Sequence, residues 1–354
     1  MASARGLADF GVLIPLFGTV TVASTAYAGH AVFWRSDWRG WLSNFATGPG
    51  RTSRLMLLVM LLINLKSIPF AWTVRVFSTM IRHVVLPRKP LPRRSLFHYS
   101  ITSSYTSLLE TDYNLHKSNS TYFSDLDTSR SHLVMYLLGP GVAALGDNAK
   151  TKMVRLPTDE TKAVPGNFGV GLGAVFCSFR KEIASYQGYE MWSRILSWDR
   201  KWLFVLTHFV VKGKVRPAVW DQVGPAPASA AWTDADEEKL QKHVIATAIS
   251  KYVFKLGRFT VHPSYLIEGS DLLPARPGEG WRGGGPDAIG DLADLDSTTY
   301  VPPAGNEDAD WDWRRVEHER RRGMEYAQHM MALDSAADFF DGGRLGALGK
   351  FSPG

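Results

Sequence analysis

The 354 residues carry 40 Lys and Arg against 34 Asp and Glu, a net charge of +6, and 45% of them are hydrophobic. That length holds one sizeable core with appendages. The single cysteine, Cys177, excludes an intramolecular disulfide. No Lys/Arg block stands beside stacking aromatics, so no nucleic-acid partner is expected and the modest basic excess suits an anionic membrane surface or an anionic small molecule.

Residues 10–34 contain no Asp, Glu, Lys or Arg and are long enough to cross a bilayer. A cleaved signal peptide is the alternative, because Ala26-Tyr27-Ala28 mimics a small-x-small site. A second apolar run, Leu55–Leu65, is cut by Lys66 and Pro69. With Ser67–Val74 it either crosses or lies as a bent interfacial helix. Arg35, Arg39, Arg51 and Arg54 follow the first run; Arg82, Arg88, Lys89, Arg93 and Arg94 follow the second. The positive-inside rule places both clusters in the cytosol, which one crossing plus one interfacial segment satisfies. Residues 1–94 are therefore expected to form a single-pass or hairpin membrane anchor, in the endoplasmic reticulum, with the rest of the chain on the cytosolic side. Within them Pro87–Pro92 reads as a stiff spacer.

Ser95–Ser107 alternates and is rich in Tyr, Thr and Ser, the pattern of a first strand. Glu110–Tyr122 follows, with an acid, an amide and an imidazole at alternate positions: Asp112, Asn114 and His116. Ser118, Asn119 and Ser120 are N-cap residues, and a helix is predicted over 119–138 with Tyr122, Leu126, Leu133 and Leu137 as its core stripe. So three polar groups sit on a loop feeding a helix N-terminus, where free backbone N–H groups can polarise a carbonyl. Residues 139–167 read as a polar insertion. Gly169–Gly173 is glycine-rich, but a strand follows where a phosphate loop needs a helix.

Strands are predicted over 173–183, 186–198 and 201–212, a linker over 218–231, and a helical start at 237–247. The strand over 249–261 alternates, with Lys251 and Lys255 on one face and Tyr252 and Phe254 on the other. Residues 276–306 are rich in Gly, Pro and Asp and read as disordered. Residues 308–340 read as one charged helix, weakly interrupted at Gly323, docked by residues such as Trp311, Val316 and Met331, with Arg320-Arg321-Arg322 as a solvated face. Cys177 reads as a buried small hydrophobe, His208 and His262 as structural. No His/Cys/Asp spacing suggests a metal.

The pattern Asp112-x-Asn114-x-His116-x-x-Asn119-x-x-Tyr122 resembles the active-site loop of hot-dog-fold thioesterases, Asp-x-Asn/Asp-x-(Gly)-His-Val-Asn-Asn-x-x-Tyr. It is similar to membrane-anchored thioesterase-superfamily-member-6-like proteins and to fungal thioesterases of secondary-metabolite pathways. Phe179-Arg-Lys-Glu182 also resembles a Tyr-Arg-Arg-Glu segment of plant acyl-ACP thioesterases, whose Glu is catalytic. Ser118 stands where the first Asn of the family pair is usual. The resemblance covers roughly residues 95–265.

It implies an α+β hot-dog fold, a curved antiparallel sheet around a central helix, here with an N-terminal anchor and a C-terminal helix. The expected division is 1–94 anchor, 95–270 hot-dog domain with the insertion 139–167, 271–307 linker, and 308–354 helix and tail. It implies hydrolysis of acyl-CoA or carrier-protein-bound acyl thioesters, with no cofactor. Asp112, Asn114, His116 and Glu182 are the expected catalytic residues; Ser118, Asn119, Tyr122, Lys251 and Lys255 are expected to bind substrate. A hydratase of the same fold and a non-catalytic acyl-binding scaffold are the alternatives. Hydratase motifs set the acid five positions before the His, whereas here the separation is four. Relatives of this kind form dimers with the acyl site at the seam. A homodimer is expected, through the aromatic-rich stretches Met191–Trp198 and Trp202–Phe209, unless the insertion and the C-terminal helix cover the sheet edge.

Overall fold

The computed structural model describes residues 37–86, 90–217, 221, 240–274, 311–340, 344 and 348. The expected span at 10–34 and most of the expected linkers at 218–231 and 276–306 lie outside them. The chain divides into two compact units between Leu65 and Lys66.

In the N-terminal unit, α1 (Trp38–Thr47) is capped by Asp37, whose Oδ1 accepts from Gly40 N at 2.9 Å. A left-handed Gly50 then starts α2 (Arg51–Ile63). The Arg54 guanidinium donates to the carbonyls of Asn44 (2.7 Å) and Phe45 (3.2 Å), satisfying the orphan acceptors at the α1 C-terminus. α2 is a continuous apolar run from Leu55 to Ile63, yet buries none of its residues. Its 13 residues reach about 20 Å. Among the described residues no helix is long and apolar enough to cross a membrane.

The main unit opens with a 3₁₀ turn, Leu65–Ser67, and α3 (Ala71–Val85). Its sheet has strands β1 (Ser100–Tyr105), β4 (Phe168–Phe179), β5 (Gly188–Trp198), β6 (Trp202–Val211), β7 (Val244–Leu256) and β8 (Phe259–Val261). All pairings are antiparallel, in the order β1-β5-β6-β7-β4, with β8 folded back on β7. The long helix α4 (Tyr122–Gly146) packs on one face and buries the whole predicted stripe of Tyr122, Leu126, Leu133 and Leu137. This is the curved-sheet-and-central-helix arrangement expected.

The details differ from the sequence reading in several places. Residues 95–97, where the first strand is expected to begin, belong to a 3₁₀ turn, Arg93–Phe97. The helix does not stop at 138. It runs through Pro140, and the supposed insertion supplies its last turns, a short α5 (Asn148–Thr151), and a hairpin of β2 (Arg155–Leu156) and β3 (Asp159–Ala163). Gly139-Pro140-Gly141 reads as a breaker, but Gly141 lies against α6 (Ser264–Glu268), where a Cβ would stand 2.0 Å from the Leu266 carbonyl oxygen. Close packing, not a turn, explains that glycine. The strand expected from 249 begins earlier, at Val244.

The other face of the sheet is covered by α7 (Trp313–Ala332), followed by a 3₁₀ stretch over Leu333–Phe339. Gly323 does not interrupt it; a Cβ there would meet the Leu196 carbonyl oxygen of β5 at 1.9 Å. Arg320 is no solvated residue. It is buried, its guanidinium bidentate to Glu317 (2.8 and 2.7 Å) and donating to the Trp198 carbonyl (3.1 Å). Cys177 on β4 is half-buried, and burial pushes its thiol up to about 11, which leaves it protonated and unsuited to attack.

Candidate active site

Residues 110–118 close into a small hairpin. Asp112 N donates to the His116 carbonyl (2.9 Å), Leu115 N to the Asp112 carbonyl (3.0 Å) and Ser118 N to the Glu110 carbonyl (2.8 Å). The turn requires a left-handed residue, and Leu115 occupies it with φ +63° at the position where the family pattern has Gly. The Asp112 carboxylate templates this turn: Oδ1 accepts from Asn114 N at 2.9 Å and His116 N at 3.4 Å. Its other oxygen has no donor among the described residues.

The hairpin docks on the segment joining β4 to β5. Lys117 N donates to the Ile183 carbonyl at 2.8 Å, and Ser185 Oγ to the Leu115 carbonyl at 3.0 Å. This docking brings His116 Nδ1 to 3.2 Å from Glu182 Oε2. Two residues 66 positions apart in sequence, singled out on separate grounds, thus meet in space. Both are accessible to a ligand, His116 at 36% and Glu182 at 74% side-chain exposure.

The helix entry differs from expectation. Asn119–Thr121 form a 3₁₀ turn leading into α4, and neither Ser118 nor Thr121 makes a side-chain cap. Ser118 Oγ pairs with Ser120 Oγ at 3.1 Å instead. Since Ser118 N is already bound to Glu110, the backbone donors left without an acceptor among the described residues are those of Asn119 and Ser120.

The remaining substrate-binding expectations land elsewhere. Tyr122 is core, its ring against Phe179 and Phe209, and burial raises its hydroxyl far above the usual phenol range. Lys251 is buried on the sheet face away from α4, over the Trp202 ring and paired with Asp334 at 2.5 Å. Lys255 is exposed, four residues further along on the same face. Within one chain neither lysine is brought to the 110–118 hairpin.

Beneath the hairpin lies a group of charges that the sequence reading did not select. Lys66 Nζ is 2.8 Å from the Tyr105 carbonyl, 2.9 Å from Glu110 Oε2, 2.8 Å from Asp125 Oδ2 and 3.1 Å from the Tyr189 hydroxyl. Arg75 Nη2 reaches Asp125 Oδ1 at 2.8 Å, and Tyr189 donates to Asp125 Oδ2. Lys117 Nζ is 3.0 Å from Asp125 Oδ2 but off the direction a hydrogen bond needs; it lies over the Tyr122 and Tyr189 rings instead. Burial pushes the Asp125 carboxyl upward, but Lys66, Lys117 and Arg75 outweigh it and hold the group well below the usual carboxylate range. The signal was in the sequence: Lys66 is the charge that cuts an apolar run.

No family model matches the chain. Among curated proteins it is 34% identical over 307 residues to thioesterase poxG of Penicillium oxalicum, covering 82% of this chain and 90% of the relative. It is 31% identical over 304 residues to the probable thioesterase atnL of Emericella nidulans, covering 82% and 89%. Among solved structures, a gentisyl-coenzyme A thioesterase shares 14% identity at a TM-score of 0.30, covering 49% of this chain and 99% of that one. The two fungal relatives, over nearly their whole length, assign the kinship, and the chain belongs to the hot-dog thioesterase family.

Proposed function

We propose that this thioester hydrolase cleaves acyl-CoA or acyl-carrier-protein thioesters at the Asp112–His116 hairpin. The observation that carries the reading is the meeting of His116 with Glu182 on a turn templated by Asp112. The unpartnered oxygen of Asp112 acts as general base. It takes a proton from water, whose oxygen attacks the thioester carbonyl carbon. The backbone N–H groups of Asn119 and Ser120 receive the developing oxyanion at the positive end of α4. The C–S bond then breaks, and the thiolate leaves with the proton held by Asp112. The Glu182 carboxylate, 3.2 Å from His116 Nδ1, holds the imidazole electrostatically with Nε2 toward the substrate, where it orients the water. A panel of acyl-CoAs tests this with the intact protein. Hydrolysis is expected, and Asp112→Asn should lower kcat by about 10²–10⁴. Turnover by that variant at the wild-type rate removes Asp112 from the mechanism.

We further propose that the enzyme works at a membrane surface, with its domain on the cytosolic side. The support is α2, whose residues Leu55 to Leu62 are all exposed apolar side chains behind Arg51 and Arg54. An apolar helix too short to span, flanked by arginines, suits the interface of an anionic bilayer. Co-flotation with vesicles containing anionic lipid is expected, and Leu57→Glu/Leu61→Glu should abolish it. Unchanged flotation of that variant contradicts α2 as the contact.

A further inference from the structure

A cavity of about 920 Å³ wraps the free edge of β1. Both faces of that strand line it: Thr102, which bonds Ser129 of α4, and Ile101, which lies across from Trp192 of β5. Its size is that of a small-molecule site rather than a packing defect. Its walls join accessible apolar surface, Tyr99, Ile101 and Tyr136, to an unbalanced positive charge.

Four arginines reach the described wall, Arg75, Arg82, Arg194 and Arg216, against one carboxylate, Asp221. Asp221 is already held by Ser95 Oγ at 2.7 Å and His98 Nδ1 at 2.8 Å. Arg75 belongs to Asp125. Arg194 is different. It is half-buried, its guanidinium stacks on Tyr99 at 5.3 Å, and its Nε is buried with no acceptor among the described residues. A stacked guanidinium keeps its in-plane N–H edge free, the edge that binds a carboxylate or phosphate in a fork. The imidazoles on the walls feel the same field. Burial holds His132 and His208 down at about 4, and Arg82 beside the first and Arg194 beside the second push the same way. The neutral His208 donates no charge to the site; its Nδ1 pairs with Thr247 Oγ1 at 3.0 Å.

We propose that this cavity binds an anionic amphiphile, its carboxylate or phosphate head on Arg194 and its apolar body along Tyr99 and Ile101 on the same face of the sheet. None of these residues belongs to the Asp112 hairpin, so the site goes beyond the hydrolytic reading and stands or falls apart from it. Binding needs no turnover.

The test uses the full chain and calorimetric titration with three single-chain probes below their critical micelle concentrations: myristate, tetradecyl phosphate and neutral tetradecanol. One or both anions are expected to bind saturably in the micromolar range. Tighter myristate would identify a fatty-acid head, such as the hydrolytic product; tighter alkyl phosphate would identify a lipid head. Arg194→Gln should weaken the anions about ten- to a hundred-fold, with Asp112→Asn binding like wild type. Arg82→Gln, an exposed position tolerant of substitution, should weaken them several-fold and carries the test if Arg194→Gln does not fold. Imidazole titration by NMR should show His208 rising in pKa when the anion binds. The proposal is overturned if tetradecanol binds as tightly as the anions, if no anion binds below millimolar, or if both arginine variants bind like wild type.

Discussion

Asp125 is a fully buried carboxylate in contact with two ammoniums and a guanidinium. Its pKa is depressed in the fold, so the folded state holds fewer protons on it than the unfolded chain does. Its contribution to stability is complete above the unfolded value of about 4 and is lost as pH falls toward the folded value. Thermal melting of the wild type should therefore drop steeply below about pH 4. Asp125→Asn, less stable at neutral pH because Arg75 loses its carboxylate and Lys66 and Lys117 keep only Glu110, should show a shallower fall over that acid range. Parallel acid slopes in the two proteins would mean that Asp125 is not the group being titrated. At this scale the sequence was legible for the exposed chemistry, and of the buried cluster it showed one sign, Lys66 cutting an apolar run, but not its partners. Asp112, Asn114 and His116 announce themselves through a local turn, which spacing encodes. Lys66 and Asp125 are 59 positions apart and meet only because α3 and α4 pack together. Nothing local in either residue points to the other.

Elements were read by period, and periodicity served best where one face is buried. The α4 stripe and the alternation of β7 are of that kind. It served worst where glycine is used for approach rather than for turning. Gly323 is the clearest case, since the α7 backbone rides directly on the Leu196 carbonyl of β5. Gly323→Ala should push α7 off the sheet and cost about 1–3 kcal/mol, the usual range for overpacking, read as a lowered midpoint in urea. A midpoint equal to wild type would show that α7 shifts without loss. Arg320 was misread for a related reason. Three consecutive arginines look solvated, but a helix turns each by about 100°; Arg320 and Arg321 both reach Glu317, and Arg320 also bonds the sheet.

Among the described residues the main path of the sheet ends at β1 and β4, with β5 and β6 inside it. The aromatic stretches expected to join two copies are those interior strands, with Leu196 and Phe204 buried beneath α7. The candidate dimer surface is instead β4. It is 12 residues long and exposes Val170, Leu172 and Phe176. Neither the β2–β3 hairpin nor α7 pairs with it. A long apolar edge of this kind templates a second strand. A homodimer paired along β4 would bring the second copy beside Glu182, which follows that strand within three residues. Sedimentation equilibrium in detergent is expected to give twice the chain mass, and Val170→Lys/Leu172→Lys should give a monomer. A wild type that sediments as a single chain rules out the shared seam.

The compact main unit begins at Lys66, not at the proline spacer, and this bears on how such a protein can change over time. A leader that merely addresses an enzyme to its compartment can be traded by recombination at any point in the joining segment. Here a crossover at the prolines would discard Lys66 and Arg75 together and leave Asp125 facing Lys117 alone. Residues 66–86 must therefore be inherited with the domain they complete, whatever leader precedes them.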